Sequence, residues 1–440
     1  MDYNDAYNFL ISLNNIPRQE YLKDKKKSGI YLKRIQFLLN IICNPEKQIS
    51  HYIHVTGTSG KGSTCLMLDS ILRAAGHRVG LIISPAPSTI TERWSINGRP
   101  ISKNNFAKLV EKIRPALQKY LETSPYDFPS FFEIVTTLGL LYFAENRVDY
   151  AVIEVGLGGR NDSTNIIPKK DLAIITNIGN DHLDLIGPTK KEVAYEKAGI
   201  IKHCRQTITA ENNPKLLKII QAECHKQKSK LTILPKEKNI EIIKKFDLKK
   251  PWTQFVYKQQ KYILNVLGEH QIRNAIMAIE AAQTLGIPTK QIQNGIQKTN
   301  FPICMEIVSK DPLVILDGAH NPDKMQTTIN TIKSLNFDGN LHLIVGFSAD
   351  KNIKTMCKQL TTLNPTTIYT TRSTSNPFRK AADPVTLSQI LSKTCPRAKI
   401  KPILEPQIAL LEAKKQAKVG DLIPVTGSIF LSGELRAWLT

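Results

Sequence analysis

A glycine-rich stretch at residues 57–64, Gly-Thr-Ser-Gly-Lys-Gly-Ser-Thr, is the part of the sequence best suited to chemistry. It lies between an apolar run that ends at Val55 and a segment with apolar residues at helical spacing that begins at Cys65. A strand, a glycine-rich turn and a helix in this order are the context of a phosphate-binding loop. The backbone N–H groups of such a loop converge on phosphate oxygens at the positive end of the helix.

Lysine and hydroxyl side chains complete the predicted phosphate site. Lys61 would reach the terminal phosphates of a nucleotide, and Ser63 or Thr64 would hold Mg²⁺. The match to the standard pattern is imperfect, because Gly62 separates the lysine from the hydroxyl residues. The alternative is a simple Gly/Ser turn, which we disfavour because strand, glycines, lysine, hydroxyl pair and helix all fall in order.

Polar residues at the ends of predicted strands indicate a metal site beside this loop. Open parallel sheets bind ligands at the carboxyl ends of their strands, and four polar side chains fall at such ends: Ser63, Ser84, Glu154 and His182. Hydroxyl and carboxylate oxygens are typical of Mg²⁺ sites. A histidine ligand would be more typical of Mn²⁺ or of a mixed-metal site.

Two other stretches remain ambiguous on residue chemistry alone. Lys197 lies on a predicted helix among small and apolar neighbours, and composition favours nothing beyond a surface lysine. Residues 317–322, Asp-Gly-Ala-His-Asn-Pro, end the first strand of a second α/β pattern. They could grip a nucleotide base or ribose, or they could form a turn that caps a helix starting at Pro322.

The elements that must position these residues alternate between strands and helices. This alternation predicts an α/β protein with a parallel sheet covered on both faces. We predict an N-terminal P-loop NTPase-like domain over residues 1–298 and a smaller, Rossmann-like C-terminal α/β domain over residues 299–440. The lysine-rich residues 226–267 are predicted to form a small antiparallel β excursion. Residues 131–145 are apolar on nearly all sides and predict a central helix.

Composition narrows the class of protein. The chain has 440 residues, a net charge of +22 and seven cysteines, none of them in a Cys-x-x-Cys pair. This pattern favours neither a disulfide framework nor a zinc site. No apolar run reaches about 18 residues and no signal peptide is apparent, so we expect a cytoplasmic protein without a membrane partner. The lysines are widely spread, which indicates a solvated surface that attracts ATP and polycarboxylates rather than nucleic acid; nucleic-acid binding is the least favoured alternative.

Taken together, these motifs resemble the folylpolyglutamate synthase / dihydrofolate synthase family within the Mur ligase superfamily. The resemblance covers nearly the whole chain, in the expected order. It rests on residues 57–64; Ser84-Pro85 with 91–93 and 96–98; 131–133; 154–160; 181–182; 196–200; His270 with 273–275; 317–322; and 425–428.

The resemblance implies an ATP-dependent ligase that adds L-glutamate to dihydropteroate, to tetrahydrofolate, or to both, through an acyl phosphate. It implies catalytic roles for Lys61, Glu154, His182 and Lys197, and ATP contacts for Thr58, Ser59, Gly60, Lys61, Gly62, Ser63, Thr64, Asn274, Asp317 and His320. One metal would be held by Ser63, Ser84 and Glu154, and a second by His182, Glu154 and Lys197, the lysine being carbamylated. The pterin-bearing acceptor would be bordered by Phe131, Phe132, Glu133, Gly158, Gly159 and Arg160.

The resemblance further implies two Mg²⁺ sites, a monovalent cation such as K⁺ as an additional candidate, small-molecule partners only, and a monomer. Two departures stand out. Ala86 follows Ser84-Pro85, where family members commonly have histidine or phenylalanine, and Cys304 occupies the place of a phosphate-contacting arginine. These changes leave two alternatives open: a related ligase with a different carboxylate acceptor or amino acid, and a nucleotide-binding homologue with weakened catalysis.

Overall fold

The computed structural model describes residues 1–16, 28–179, 186–235, 241–244, 251–335, 337–375 and 379–439. The chain divides into two units. The first comprises Met1–Pro85, Thr91–Ile240 and Arg273–Thr299, and the second comprises Ala86–Ile90, Glu241–Ile272 and Asn300–Thr440. The predicted domain limits at 298 and 299 stay a prediction.

The first unit contains an eight-stranded sheet in the order β4-β3-β2-β5-β1-β6-β7-β8. Six strands run parallel, while β3 pairs antiparallel with β2 and β4 antiparallel with β3. The strands are β1 (His51–Thr56), β2 (Val79–Ile82), β3 (Trp94–Ile96), β4 (Arg99–Pro100), β5 (Tyr150–Glu154), β6 (Lys170–Ile175), β7 (Cys204–Thr209) and β8 (Lys230–Ile233).

Nine helices belong wholly or mainly to this unit among the described residues. They are α1 (Tyr3–Ser12), α2 (Ile30–Ile41), α3 (Lys61–Ala74), α4 (Lys103–Thr123), α5 (Phe131–Glu145), α6 (Lys190–Ala198), α7 (Pro214–Gln227), α8 (His270–Thr284) and α9 (Thr289–Lys298). The apolar residues 131–145 form the predicted helix, and most of its side chains are buried. A capping box between Ser130 and Glu133 fixes where this helix begins.

The second unit contains two sheets. A three-stranded antiparallel sheet has the order β11-β10-β9, and a six-stranded sheet has the order β12-β13-β17-β14-β15-β16. Among the described strands of the larger sheet, β12 alone is antiparallel to its neighbour. The strands are β9 (Glu241–Lys244), β10 (Thr253–Tyr257), β11 (Gln260–Leu264), β12 (Glu306–Lys310), β13 (Leu313–Leu316), β14 (His342–Val345), β15 (Thr367–Thr370), β16 (Lys399–Pro402) and β17 (Leu422–Thr426).

Helices cover the larger sheet of the second unit on both faces. Along β13, Val314 and Leu316 belong to one apolar core and Ile315 to the other, as the period of two in a strand requires. The helices are α10 (Pro322–Ser334), α11 (Ile353–Leu360), α12 (Pro384–Thr394), α13 (Pro406–Gln416) and α14 (Ile429–Leu439).

The predicted fold class is confirmed: each unit has a mostly parallel sheet with helices around it. Of the antiparallel excursion expected over residues 226–267, β9, β10 and β11 form an antiparallel sheet, whereas Lys230–Ile233 is β8 of the first sheet and runs parallel to β7. The antiparallel sheet groups with the second unit, and Leu267 just beyond it belongs to the same apolar core as Met305 and Ile315. Among the described residues, none of the helices combines the length and apolar content that a membrane crossing requires.

Candidate functional site

The glycine-rich loop connects β1 to α3, as the sequence predicts, and α3 begins at Lys61. Gly60 has a φ of +81°, a left-handed conformation that favours glycine. The Lys61 ammonium donates to the Gly57 carbonyl at 2.9 Å, across the mouth of the loop. The Thr64 hydroxyl donates to the Gly60 carbonyl at 2.9 Å, so Thr64 is engaged within the helix. Ser63 is therefore the better placed hydroxyl for a metal.

Residues that follow β6 hold this loop in shape. Ser59 N–H donates to the Asn177 side-chain oxygen at 2.9 Å, and the Thr176 hydroxyl donates to the Ser59 carbonyl at 2.6 Å. Gly57 must lack a side chain, because a Cβ there would lie 1.7 Å from the Thr176 hydroxyl oxygen. Contacts within the protein thus hold the loop in its shape. Sequence reasoning did not single out Thr176 or Asn177 as supports.

Glu154 meets the phosphate loop at the carboxyl end of β5. Its carboxylate accepts a hydrogen bond from the Ser84 N–H at 2.9 Å. A Cβ on Gly62 would lie 3.5 Å from the Glu154 Oε2. Three predicted positions, the loop glycine, Ser84 and Glu154, are therefore brought together where β1, β2 and β5 end.

These side chains suit a hard cation. A carboxylate at Glu154 with hydroxyls at Ser63 and Ser84 supplies the oxygen donors that Mg²⁺ prefers. Within the described ranges, no group of three histidine, cysteine, aspartate or glutamate side chains is placed to hold a metal. The predicted ligand His182 lies outside the described residues, so its place in the site stays a prediction.

Lys197 is a buried residue of α6, with 1% of its surface exposed, and this burial contradicts the surface-lysine interpretation. The loop after β5 packs against the same helix, because a Cβ on Gly159 would lie 3.3 Å from the Lys197 Cα. Arg160 stacks its guanidinium 3.9 Å from the Tyr195 ring centroid and pairs with Glu223 at 2.8 Å. The predicted acceptor-bordering loop 158–160 is thus anchored on α6 and α7.

Glu133, also predicted to border the acceptor, is engaged inside the first unit. Its carboxylate accepts from the Arg34 Nε at 3.0 Å and from the Arg34 Nη2 at 2.6 Å, and it accepts from the Ser130 N–H at 2.7 Å. Arg34 also donates to Asp127 at 2.9 Å. These bonds fix the first turn of α5, which carries Phe131 and Phe132. Contact between Glu133 and a substrate stays a prediction.

Arg93 is a buried cation. It belongs to the motif at residues 91–93, for which the sequence predicts no role. It ends the short helical turn Ile90–Arg93, directly before β3. Its Cζ lies 5.9 Å from the centroid of the Phe132 ring. The Phe132 ring in turn packs on Gly156, where a Cβ would lie 2.3 Å from the Phe132 Cζ. Arg93 and Phe132 therefore lie together near the end of β5.

Asn274 lies against the phosphate loop from α8. A Cβ on Gly60 would lie 2.3 Å from the Asn274 Oδ1. The resemblance is the only sequence signal that singled out this asparagine, and the structure brings it to the loop as an ATP contact requires. The contact with ATP itself stays a prediction.

In the second unit, Asp317 follows β13 and is deeply buried. Its carboxylate accepts from the N–H groups of Met305 and Ala319 and from the Thr328 hydroxyl at 2.6 Å. Burial raises the pKa of Asp317, and these hydrogen bonds oppose the rise. The carboxylate thereby connects the end of β13 to the middle of α10 through Thr328.

His320 lies in the turn that follows, and Asn321 caps α10 by accepting from the Lys324 N–H. Burial lowers the pKa of His320 well below its ordinary value, and the nearby Lys324 ammonium adds to the effect. The ring is therefore neutral near pH 7, with Nδ1 donating to the Gly318 carbonyl at 2.8 Å. The capping turn considered for residues 317–322 is present, and nucleotide contacts by Asp317 and His320 stay predictions.

Cys304 is partly exposed and accepts a hydrogen bond from the Gln271 amide, 2.9 Å from its Sγ. A thiol at this position carries no positive charge for phosphate. Within the second unit, the place of the expected arginine is thus taken by a neutral group that bonds to α8.

Known families and proteins resemble this chain over most of its length. The Mur ligase middle domain family matches residues 55–282, and the Mur ligase glutamate ligase domain family matches residues 305–429. A dihydrofolate synthase/folylpolyglutamate synthase of Bacillus subtilis (strain 168) is 32% identical over 435 residues, which cover 95% of this chain and 97% of that protein.

Solved structures show the same fold. A Mycobacterium tuberculosis folylpolyglutamate synthase complexed with ADP and AMPPCP superposes with a TM-score of 0.82 at 25% identity, covering 93% of this chain and 95% of that chain. An E. coli FolC in complex with DHPP and ADP has a TM-score of 0.79 at 25% identity, covering 100% of this chain and 98% of that chain. Both similarities span the two units.

Proposed function

Because the chain belongs to the folylpolyglutamate synthase / dihydrofolate synthase family of Mur-type ligases, we propose that it joins L-glutamate to a pterin-bearing carboxylate. The acceptor is dihydropteroate, tetrahydrofolate or both, and each turnover converts ATP to ADP and phosphate. The observation that supports this proposal most directly is that Glu154 lies beside the phosphate loop and accepts a hydrogen bond from the Ser84 N–H. Oxygen donors beside a phosphate loop supply the ligands for the Mg²⁺ that phosphoryl transfer to a carboxylate uses.

The chemistry explains why a phosphate site is needed. A carboxylate is a poor electrophile until one of its oxygens becomes a good leaving group. The acceptor oxygen attacks the γ-phosphorus, the bond from that phosphorus to the ADP oxygen breaks, and an acyl phosphate forms. The glutamate amine then attacks the acyl carbon, loses a proton, and phosphate leaves.

Several parts of the first unit have roles in these reaction steps. The phosphate loop and Lys61 hold the β- and γ-phosphates, as backbone N–H groups and a lysine do in related loops. Asn274 contacts the nucleotide beside Gly60. The acceptor is bordered by Phe131, Phe132 and the loop 158–160. The ion pair between Arg34 and Glu133 holds the first turn of α5, which carries the two phenylalanines. The family resemblance also implies ATP contacts for Asp317 and His320, which are untested.

Ser63, Ser84 and Glu154 would hold one Mg²⁺, and Glu154, His182 and a carbamylated Lys197 a second, with K⁺ as a further candidate. Bound Mg²⁺ neutralises charge on the transferring phosphoryl group. Carbamylation would turn the cationic Lys197 into an anionic oxygen ligand. The burial of Lys197 on α6 supports this role, because a ligand of an internal metal lies inside the protein and not on its surface.

The experiment that tests the proposal combines phosphate release with product mass. The purified protein is supplied with ATP, Mg²⁺ and L-glutamate, and with dihydropteroate or tetrahydrofolate in separate reactions. A mass gain of one glutamyl unit, absent in Lys61→Ala, is the expected result. Phosphate release without that gain, or no release with either acceptor from protein that binds ATP, would contradict it. The second outcome would favour a different acceptor or a catalytically weakened homologue.

A further inference from the structure

Arg93 shares a row of the first sheet with Glu154. β2 pairs with β3 through Ile82 and Trp94, and with β5 through Ile82 and Ile153. One residue further along, the Ile83 N–H donates to the Arg93 carbonyl at 3.1 Å. Arg93 and Glu154 thus flank Ile83 at the carboxyl end of β2, about two strand spacings of roughly 4.8 Å apart. This is the edge of the sheet at which the phosphate loop and Ser84 also lie.

Two of the three guanidinium nitrogens of Arg93 are buried and have no hydrogen-bond partner among the described residues. Arg93 is 9% exposed, and its Nε and Nη1 are buried nitrogen atoms without an acceptor among the described residues. No described carboxylate lies within ion-pair distance of it, and the centroid of the Phe132 ring lies 5.9 Å from its Cζ. Buried polar groups in native proteins are almost always hydrogen-bonded, and an exception calls for an explanation.

The charge of this group persists at neutral pH. Burial lowers the pKa of the Arg93 guanidinium to about 10, and the Glu154 carboxylate opposes that shift. The cost of holding a desolvated cation without partners is offset when an anion binds to it. Arginine presents donors in a planar fork that matches two oxygens of a carboxylate or a phosphate.

We propose that Arg93 binds the reacting carboxylate of the acceptor and keeps its hydrogen bonds to the acyl phosphate that forms there. This inference rests on the function proposed above, and it identifies Arg93 as the group that binds the oxygens of the reacting carboxylate. Phe132 contacts both Arg93 and Gly156, so an acceptor bordered by Phe132 would place its carboxylate beside Arg93. The guanidinium then neutralises charge as the carboxylate oxygen bonds to the γ-phosphorus and ADP leaves, and it transfers no proton.

The test compares Arg93→Met and Arg93→Lys with the control Arg99→Met, which removes an exposed arginine from the neighbouring β4. Steady-state kinetics give kcat and KM for the acceptor and for ATP, and hydroxylamine traps the acyl phosphate as a hydroxamate. Arg93→Met is expected to lower kcat/KM for the acceptor about 100- to 1,000-fold, as the loss of a transition-state hydrogen-bond donor does elsewhere. Its hydroxamate yield falls in parallel, its KM for ATP stays within about threefold, and Arg93→Lys recovers part of the loss.

A second arm separates this inference from the proposed function. Inorganic phosphate is titrated into the wild-type protein and both Arg93 variants in the presence of ADP and Mg²⁺. Weaker phosphate binding by Arg93→Met supports an oxyanion site even if neither folate acceptor is glutamylated. Unchanged phosphate binding together with unchanged acceptor kinetics would overturn the inference, although glutamylation by the wild type would still support the proposed function. If Arg93→Met does not fold, Arg93→Lys carries both arms, and its equality with wild type would overturn the inference.

Discussion

Two buried arginines, Arg34 and Arg93, lie against the first turn of α5, and they differ in their hydrogen bonds. Arg34 donates from three of its nitrogens to the carboxylates of Glu133 and Asp127. Arg93, beside Phe132 in the same turn, donates to no described residue. The guanidinium of Arg34 thus forms structural ion pairs, whereas we propose that the guanidinium of Arg93 binds an anion. The pattern of hydrogen bonds distinguishes them, whereas the degree of burial does not.

The largest predicted difference concerns stability. Arg34→Met leaves two carboxylates at Glu133 and Asp127 without their cation, and we expect it to lower the free energy of unfolding by about 3–5 kcal/mol. Arg93→Met removes a desolvated charge that has no hydrogen-bond partner among the described residues, and we expect the free energy of unfolding to stay equal or to rise. Urea unfolding of the two variants measures both values.

A double variant sharpens this prediction. Adding Glu133→Gln to Arg34→Met removes one of the uncompensated charges, so the double variant should be more stable than the sum of the single effects. Equal losses in Arg34→Met and Arg93→Met would break the distinction between the two arginines.

Asp69 is an intermediate case, and its effect should appear in the pH dependence of stability. One carboxylate oxygen pairs with Arg73 at 2.8 Å, while the other is buried without a partner among the described residues. Burial raises the pKa of Asp69 from 3.8 to about 6. The folded state therefore holds a proton that the unfolded state releases, and stability falls as pH rises from about 4 through about 6, by on the order of 3 kcal/mol.

Comparing the unfolding of wild type and Asp69→Asn across this pH range isolates the contribution of Asp69. The variant should lack that part of the decline, and its stability relative to wild type should rise with pH. A constant difference between the two proteins from pH 4 to pH 7 would contradict the raised pKa.

The smallest predicted effect concerns the packing of Trp94, the residue after Arg93, against α5. Trp94 follows Arg93 and donates its indole N–H to the Val135 carbonyl of α5 at 3.0 Å. A Cβ on Gly139 would lie 2.6 Å from Trp94 and 2.7 Å from Ile82. Gly139→Ala should therefore cost about 1–3 kcal/mol of stability, as overpacked cores do.

The acceptor KM should rise in Gly139→Ala, because a shift of Trp94 moves Arg93 with it. Gly29→Ala is the matched control, since a Cβ there would meet nothing within 4 Å. Thermal unfolding and acceptor kinetics of the two variants give the comparison. An unchanged KM in Gly139→Ala, with the expected loss of stability, would show that Trp94 does not position Arg93.

The sequence was sufficient to predict the features that depend on local order. The strand, loop and helix at residues 57–64, the central helix at 131–145 and the alternation of strands and helices were all predicted from patterns within short windows. The short strands β3 and β4 were not predicted, because three and two residues carry too little periodicity. Asn274 was found only through the family resemblance.

The environment of the charged side chains depends on distant parts of the chain. Arg34 and Glu133 are 99 positions apart, so no spacing rule connects them. The bonds between Glu133 and Arg34 therefore cannot be predicted from the sequence, and the contact of Glu133 with a substrate, which the resemblance implies, stays a prediction. Arg93 could not be singled out from the sequence, because what distinguishes it is that two of its buried guanidinium nitrogens have no acceptor in the part of the chain that the structure describes.

The measurement that tests the account most directly follows an oxygen atom. The acceptor carboxylate is labelled with ¹⁸O, and the phosphate released during glutamate addition is weighed by mass spectrometry. If the acceptor carboxylate attacks ATP, one labelled oxygen should move to each phosphate released with a glutamylated product. Glutamylated product with unlabelled phosphate would contradict the acyl-phosphate route and with it the role proposed for Arg93.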